Sequence, residues 1–499
     1  MPAVLRKSFP WFLWLFLSAA AFVYFYKAMN SEASPEVFVS GTSTDGHYQI
    51  EMACTACHDN EKKDGLFTSE GVSNKACNAC HGEDLEAASD SHPTRKFKNP
   101  ENAVFLEHVD AMKCTACHGE HDLERTREMG VTLPENFCAH CHEVTLENRE
   151  SHKDLAFNTC ATSGCHNYHD NVALSPSFMV KRYAQPDHII GGAVPLPDAL
   201  GKWLEDGNEK RLPLNVSDAV APPAQLEKQE VLSDWHGSAH AQAGVNCMDC
   251  HGSEQGSPGW VAQPDHTSCQ TCHEQEVSTF LKGKHGMRLA HPELGPMTVA
   301  EARLPMHANA AHNSLSCSSC HSSHNYDRVY ASHQACMKCH DGEHTRNYEK
   351  SRHFSLWTAE VAGAAPPGSG VSCATCHLPR EEHDGHVLVN HNQNANLTPN
   401  EKMLQGTCME CHGMEFGLSA LADHDLITAN FSHPPAQRHS GMKWAASAAI
   451  EDGDEAVIIL QNYLDSIGGT APSHGPRTPP LATNPAEASA EAPDKEDNY

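Results

Sequence analysis

The sequence predicts a mainly α chain with extensive loops and little or no sheet. Three observations lead there. Cysteine-histidine motifs recur so densely that little chain separates them, no stretch alternates with the period of a strand, and the residues between motifs favour short helices such as Glu276 to Lys282 and Thr345 to Trp357.

At the N-terminus, Phe9 to Tyr26 reads FPWFLWLFLSAAAFVYFY, the longest apolar run, with Arg6 and Lys7 just before it. Residues 1–8 are expected on the cytoplasmic side and 9–26 as a membrane anchor, which places the rest of the chain outside. The alternative is a cleaved signal peptide, with Ser31-Glu32-Ala33 as its site. That site lies well beyond the run, and the run exceeds the usual core of about 7–15 residues. The expected location is therefore the inner membrane, facing the periplasm, or the periplasm or exterior after cleavage.

The next element is the motif array. All 22 cysteines fall in pairs followed at once by histidine. Ten pairs are C-x-x-C-H: Cys54/Cys57, Cys77/Cys80, Cys114/Cys117, Cys138/Cys141, Cys247/Cys250, Cys269/Cys272, Cys317/Cys320, Cys336/Cys339, Cys373/Cys376 and Cys408/Cys411. The eleventh, Cys160/Cys165, has two more residues inside it. Two thiols at this spacing add across the two vinyl groups of a haem and leave the next residue beneath the ring, where imidazole binds iron. A disulfide scaffold would not need histidine after every second cysteine. Zinc would need half-sites converging from separate segments. The motifs thus predict eleven covalent haems c, with His58, His81, His118, His142, His166, His251, His273, His321, His340, His377 and His412 as proximal ligands, in a multihaem cytochrome c whose core is packed with haem.

Of 37 histidines, those outside the motifs supply a second axial ligand, so bis-histidine ligation is the default. His121, His169 and His324 each follow a proximal histidine by three residues, and His140 lies inside a motif, so each must face a neighbouring ring. His92, His108 and His152 complete the first half. His236, His240, His285, His312, His344, His353, His391 and His433 complete the second. The pairing of these with individual haems is left open.

Successive first cysteines lie 19 to 48 residues apart except for one interval of 87, from Cys160 to Cys247. That interval holds a Gly- and Pro-rich stretch, 190–232, read as a linker. It divides a pentahaem domain, 27–189, from a hexahaem domain, 233–440. A helical segment, 441–469, follows; Val457, Leu460, Leu464 and Ile467 share a face of a helix from Glu451 to Ile467 that Gly468-Gly469 ends. Residues 470–499, rich in Pro, Ala and Glu, are expected to be a disordered acidic tail. The formal charge of −29 excludes nucleic acid as a partner.

Residues between the motifs carry a resemblance. CHSSHNYDRVYASHQACMKCHDGEHTRNYEKSRHFSLW from Cys320, GVSCATCHLPR around Cys373, and HNQNANLTPNEKMLQGTCMECHGMEFGLSALAD from His391 resemble the hydroxylamine oxidoreductase family over about 231–440. Residues about 45–190 resemble small multihaem electron-transfer cytochromes. The former resemblance implies haem packing shared with ammonia-forming nitrite reductases and one five-coordinate catalytic haem, here on Cys269, Cys272 and His273, with His307 as its pocket histidine. Met306 stands where the family has an acid, Tyr463 is the late tyrosine available for a haem cross-link, and the C-x-x-C-K motif of the nitrite reductases is absent.

The expected function is electron transfer through a chain of mostly bis-histidine haems. The alternatives are an oxidoreductase acting on a small nitrogen-oxide substrate such as nitrite, or on hydroxylamine, and a haem-wire subunit of a respiratory or extracellular complex. Redox partner proteins or a quinol-linked donor are the expected partners; a homo-oligomer is left open.

Overall fold

A computed structural model describes residues 3–30, 41–58, 72–88, 90, 92–134, 137–142, 148, 168–170, 174–189, 191–253, 259–397 and 400–451. Cys160, Cys165, His166 and His152 lie outside these residues. So do Tyr463, the expected helix beyond Glu451 and the acidic tail.

The first described element is a helix, Ala3–Asn30. From Pro10 to Tyr26 its side chains are exposed, with Trp11, Phe12, Phe16 and Phe22 at about 70%. An uninterrupted run of good helix formers and aromatics, with Pro only near its start, explains the length. Among the described residues no helix is long and apolar enough to cross a membrane.

Beyond it the chain forms two compact units, one of Met1–Ala173, Pro197–Gly342 and His377–Pro399, the other of Leu174–Leu196, Glu343–Cys376 and Asn400–Tyr499. The first unit is built of short helices and 3-10 turns joined by loops. Its buried apolar side chains include Phe97, Trp235, Val277 and Val299. The second unit has an aliphatic core. Leu404, Met414, Leu418, Leu426 and Met442 are fully buried, brought together by helices Pro176–Arg182, Met403–Gly406, Met414–Leu421, His424–Thr428 and Ser440–Glu451.

Three local features depart from the periodicity reading. Thr345 to Trp357 is two helices, Glu343–Tyr348 and Arg352–Val361, because the Ser351 hydroxyl accepts the Phe354 N–H at 3.1 Å and starts the second one afresh. A two-stranded antiparallel hairpin, β1 (Arg380–His383) and β2 (His386–Val389), is present among the described residues. Its turn is Asp384-Gly385, both in the left-handed region at φ 50° and 83°, the geometry that Asp-Gly favours between paired strands. The stretch 190–232 holds helices Ala199–Glu205, Pro223–Leu226 and the first half of Gln229–His236. Its Asp198 N–H donates to Val387 O on β2 at 2.8 Å, and Val194 N–H donates to Gly368 O at 2.7 Å.

Candidate haem-binding sites

Each described motif folds as a helical turn. The histidine N–H donates to the carbonyl of the first cysteine, at 2.8 Å for His58, 3.0 Å for His118 and His142, 2.9 Å for His273 and His321, 3.0 Å for His340 and 2.8 Å for His412. Positions i, i+3 and i+4 of such a turn share a face, so two thiols and an imidazole point the same way. The preceding residue often starts the turn. Asn246 and Asp249 form a reciprocal cap around Cys247, and Ser316 with Ser319 does the same around Cys317. No described cysteine is in a disulfide, so both sulfurs of each described motif can serve attachment.

The attachment cysteines differ in how far the chain covers them, and Cys80 is an open one. Its side chain is exposed, as are those of Cys54, Cys141 and Cys272. The reason is local to its element. The second motif sits inside a longer helix, Asn74–Ala87, none of whose residues is buried. Cys77, one turn earlier, hydrogen-bonds with Cys114 of the third motif. Cys80 keeps the i+3 spacing to Cys77 that attachment needs.

Opposite these turns the chain brings up second histidines. Ring centres lie 6.0 Å apart for His81 and His47, 6.2 Å for His118 and His169, and 5.9 Å for His142 and His92. They lie 6.0 Å apart for His251 and His324, 6.1 Å for His273 and His240, 6.4 Å for His321 and His391, 6.1 Å for His340 and His285, and 6.3 Å for His412 and His353. Each pair joins one motif histidine to one from elsewhere. With a metal–imidazole bond of about 2.0 Å and about 1.1 Å from nitrogen to ring centre, two imidazoles on opposite sides of one metal have centres about 6.2 Å apart. The residues present therefore fit a six-coordinate iron at each pair.

The outer nitrogens are held as well. Nδ1–H donates to Gly130 O from His118 (3.1 Å), to Val261 O from His251 (2.6 Å), to Asp187 O from His412 (3.0 Å), to Tyr168 O from His92 (2.8 Å) and to Val389 O from His391 (2.9 Å). Such bonds fix the tautomer and leave Nε2 as the ligating atom. His47 differs, because its Nδ1 meets the carboxylate of Glu120 at 2.7 Å. Burial pushes His240, His285, His321 and His353 down to about 4, with neighbouring imidazoles adding to the effect, so these rings are neutral as ligation requires.

Of the expected distal residues, His92, His169, His240, His285, His324, His353 and His391 stand opposite motif histidines. His108 and His140 instead stack on each other, 5.5 Å apart. His121 donates its Nδ1–H to Gly41 O at 3.0 Å. His344 has both nitrogens in hydrogen bonds, to Ile427 O and Asn430. His312 and His433 are exposed and His236 is half-buried. His307 lies beside the Cys336 motif, where its N–H donates to Cys339 O at 2.8 Å and its Nδ1 is 3.7 Å from Asp341; across from His273 stands His240. Sequence reasoning missed His47 altogether. The available signal was its place seven residues before Cys54, matching His240 seven before Cys247. It also missed His188, whose Nδ1 lies 3.1 Å from that of His412.

A family model described as cytochrome c3 matches residues 46–143 and 239–341. A solved structure titled "Hypothetical multiheme protein" is 14% identical, with a TM-score of 0.24, covering 51% of this chain and 81% of its own. No curated protein matches. These matches do not show the hydroxylamine oxidoreductase resemblance over 231–440; within that region the match is to cytochrome c3. Repeated haem-attachment turns and a cytochrome c3 family match over these two stretches support a multihaem c-type cytochrome, similar there to the electron-transferring cytochromes c3 and fitted to bind haem c covalently.

Proposed function

We propose that this protein is a membrane-anchored, periplasmic undecahaem wire whose haems are mostly bis-histidine ligated. The observation that carries the reading is the set of histidine pairs with ring centres 5.9 to 6.4 Å apart. Haem iron bound there supplies a one-electron carrier. The chain's own part is to hold it still. The two imidazoles of each pair would hold the iron between them, and Nδ1 bonds to backbone carbonyls keep His118, His251, His412, His92 and His391 from turning. An iron so held would have no place for substrate, and electron exchange would need little rearrangement.

This arrangement supports transfer over catalysis. His240 stands across from His273, the position that the hydroxylamine oxidoreductase resemblance would leave open, and the main chain of His307 is tied to Cys339. The count of eleven rests on the sequence motifs, as does the division into five haems over 27–189 and six over 233–440. Anchoring is supported by the bare aromatic surface from Trp11 to Tyr26, which water would leave costly and lipid would cover. A quinol-linked donor or a redox protein is the partner class that such a location implies.

The test is electron paramagnetic resonance of the purified oxidised protein with haem counted by pyridine haemochrome. Eleven haems, all low-spin and unmoved by nitrite or hydroxylamine, are expected. A high-spin ferric signal that shifts with either compound would establish an open site and replace this reading with an oxidoreductase.

A further inference from the structure

The stretches 46–143 and 239–341 hold equivalent pairs at their second motifs, His81 with His47 and His273 with His240. In each, the distal histidine precedes the first motif cysteine by seven residues. The surroundings of the two distal rings differ. Glu120 Oε1 meets His47 Nδ1 at 2.7 Å and accepts the Thr44 hydroxyl at 3.1 Å, while its Oε2 accepts the Thr44 N–H at 3.1 Å. Glu120 lies between His118 and His121 in the third motif, C-H-G-E-H. The same place in the second stretch, C-H-S-S-H, is Ser323, and the place of Thr44 is Gly237. His240 Nδ1 is buried, and no protein group reaches it with a hydrogen bond. The nearest carboxylate to that haem site, Glu276, is 3.9 Å from Nδ1 of the other ring, His273, and outside hydrogen-bond range.

We infer that Glu120 sets the haem at His81 and His47 to a lower reduction potential than its counterpart at His273 and His240, through its hydrogen bond to His47. The inference rests on the axial-ligand reading above. An imidazole whose N–H donates to a carboxylate gains imidazolate character and becomes a stronger donor to iron. Both that donation and the negative charge nearby favour the ferric state over the ferrous one. The proton stays on Nδ1 throughout; reduction adds one electron, and no atom is transferred.

The experiment is a potentiometric titration of the full-length holoprotein with dithionite, followed by low-temperature electron paramagnetic resonance. In Glu120→Gln one low-spin component is expected to titrate at higher potential, with haem content unchanged and the others in place. If every component titrates as in the parent protein, the inference is overturned. Should Glu120→Gln fail to retain its haems, Ser323→Glu decides in its place: one component moving to lower potential upholds the inference, and an unmoved set overturns it. His47→Ala separates this from the ligand reading. A new high-spin haem in that variant sustains ligation by His47 whatever Glu120 does. A fully low-spin His47→Ala would remove the ligand reading itself.

Discussion

The stretches 46–143 and 239–341 reach one arrangement from sequences with little in common outside their motifs. In each, the second motif takes its partner from seven residues ahead of the first motif, His47 or His240, and the fourth takes its partner from just after the second, His92 or His285. The thiols of the second and third motifs also adjoin in both. Cys77 and Cys269 are pushed up by hydrogen bonding with Cys114 and Cys317, and by burial. What differs lies one layer out, in Glu120 against Ser323 and Thr44 against Gly237. Ligand supply follows from short offsets along the chain. The environment behind the ligands is set by residues that touch no iron, and those can change while the pairing stays.

The largest expected effect tests the one pair that the first stretch does not display. His324 stands 6.0 Å from His251, while His121 holds the same place in its motif and the same left-handed backbone, φ 60° against 72°. A non-glycine residue there is strained and persists only where surroundings fix it. Equivalence assigns His121 to the haem of His58. His121→Ala and His324→Ala should then each turn one haem from low-spin to high-spin, with equal amplitudes by electron paramagnetic resonance. A response from His324→Ala alone would break the correspondence at its first motif.

Much of this was legible in the sequence. The attachment turns follow from i, i+3, i+4 spacing, and the helix Glu274–Lys282 from its apolar period. Which imidazole faces which motif was not, because that depends on loops that bring His391 to His321 over 70 residues (391 − 321) and His169 to His118 over 51 (169 − 118). His47 was readable only by setting the two stretches side by side. The exposure of Cys80 was hidden too, since spacing within a motif does not say which side of its helix the rest of the chain covers. The hairpin escaped because each strand has four residues, too few for a period to register, although Asp384-Gly385 was a turn signal. The break at Ser351 escaped because one cap bond outweighs a continuous apolar pattern.

A middle-sized effect concerns how the two stretches meet. Tyr48 of the first has Arg303 of the second over its ring at 4.4 Å and Lys284 at 5.6 Å, and Arg303 also pairs with Asp45 at 2.8 Å. Two cations over one half-exposed ring contribute about 1–2 kcal/mol together. Tyr48→Ala should lower the unfolding free energy by at least that amount in denaturant titration, and Tyr48→Phe should leave it nearly unchanged, since the ring carries the attraction. An equal loss in both variants would assign the contact to the hydroxyl instead.

The smallest effect is local and depends on pH. The third motif of the second stretch takes His391 from the end of the hairpin. His386 on β2 lies between Asp198, at 3.1 Å, and Glu205, at 3.2 Å, tying the strand to helix Ala199–Glu205. Desolvation works against its charge, but the two carboxylates raise it above the ordinary histidine range of about 6.5. A group raised on folding adds stability that is complete below its unfolded value and is lost as pH climbs through the folded one. The Asp198 N–H, which donates to Val387 O across this contact, should therefore exchange faster, after correction for intrinsic rates, as pH rises above about 6.5. The neutral variant His386→Gln should lose that dependence while the Asn390 N–H, held by Pro379 O inside the hairpin, keeps its protection. Parallel loss at both amides would mean the hairpin itself opens, and the pH response would belong to β1 and β2 rather than to their docking.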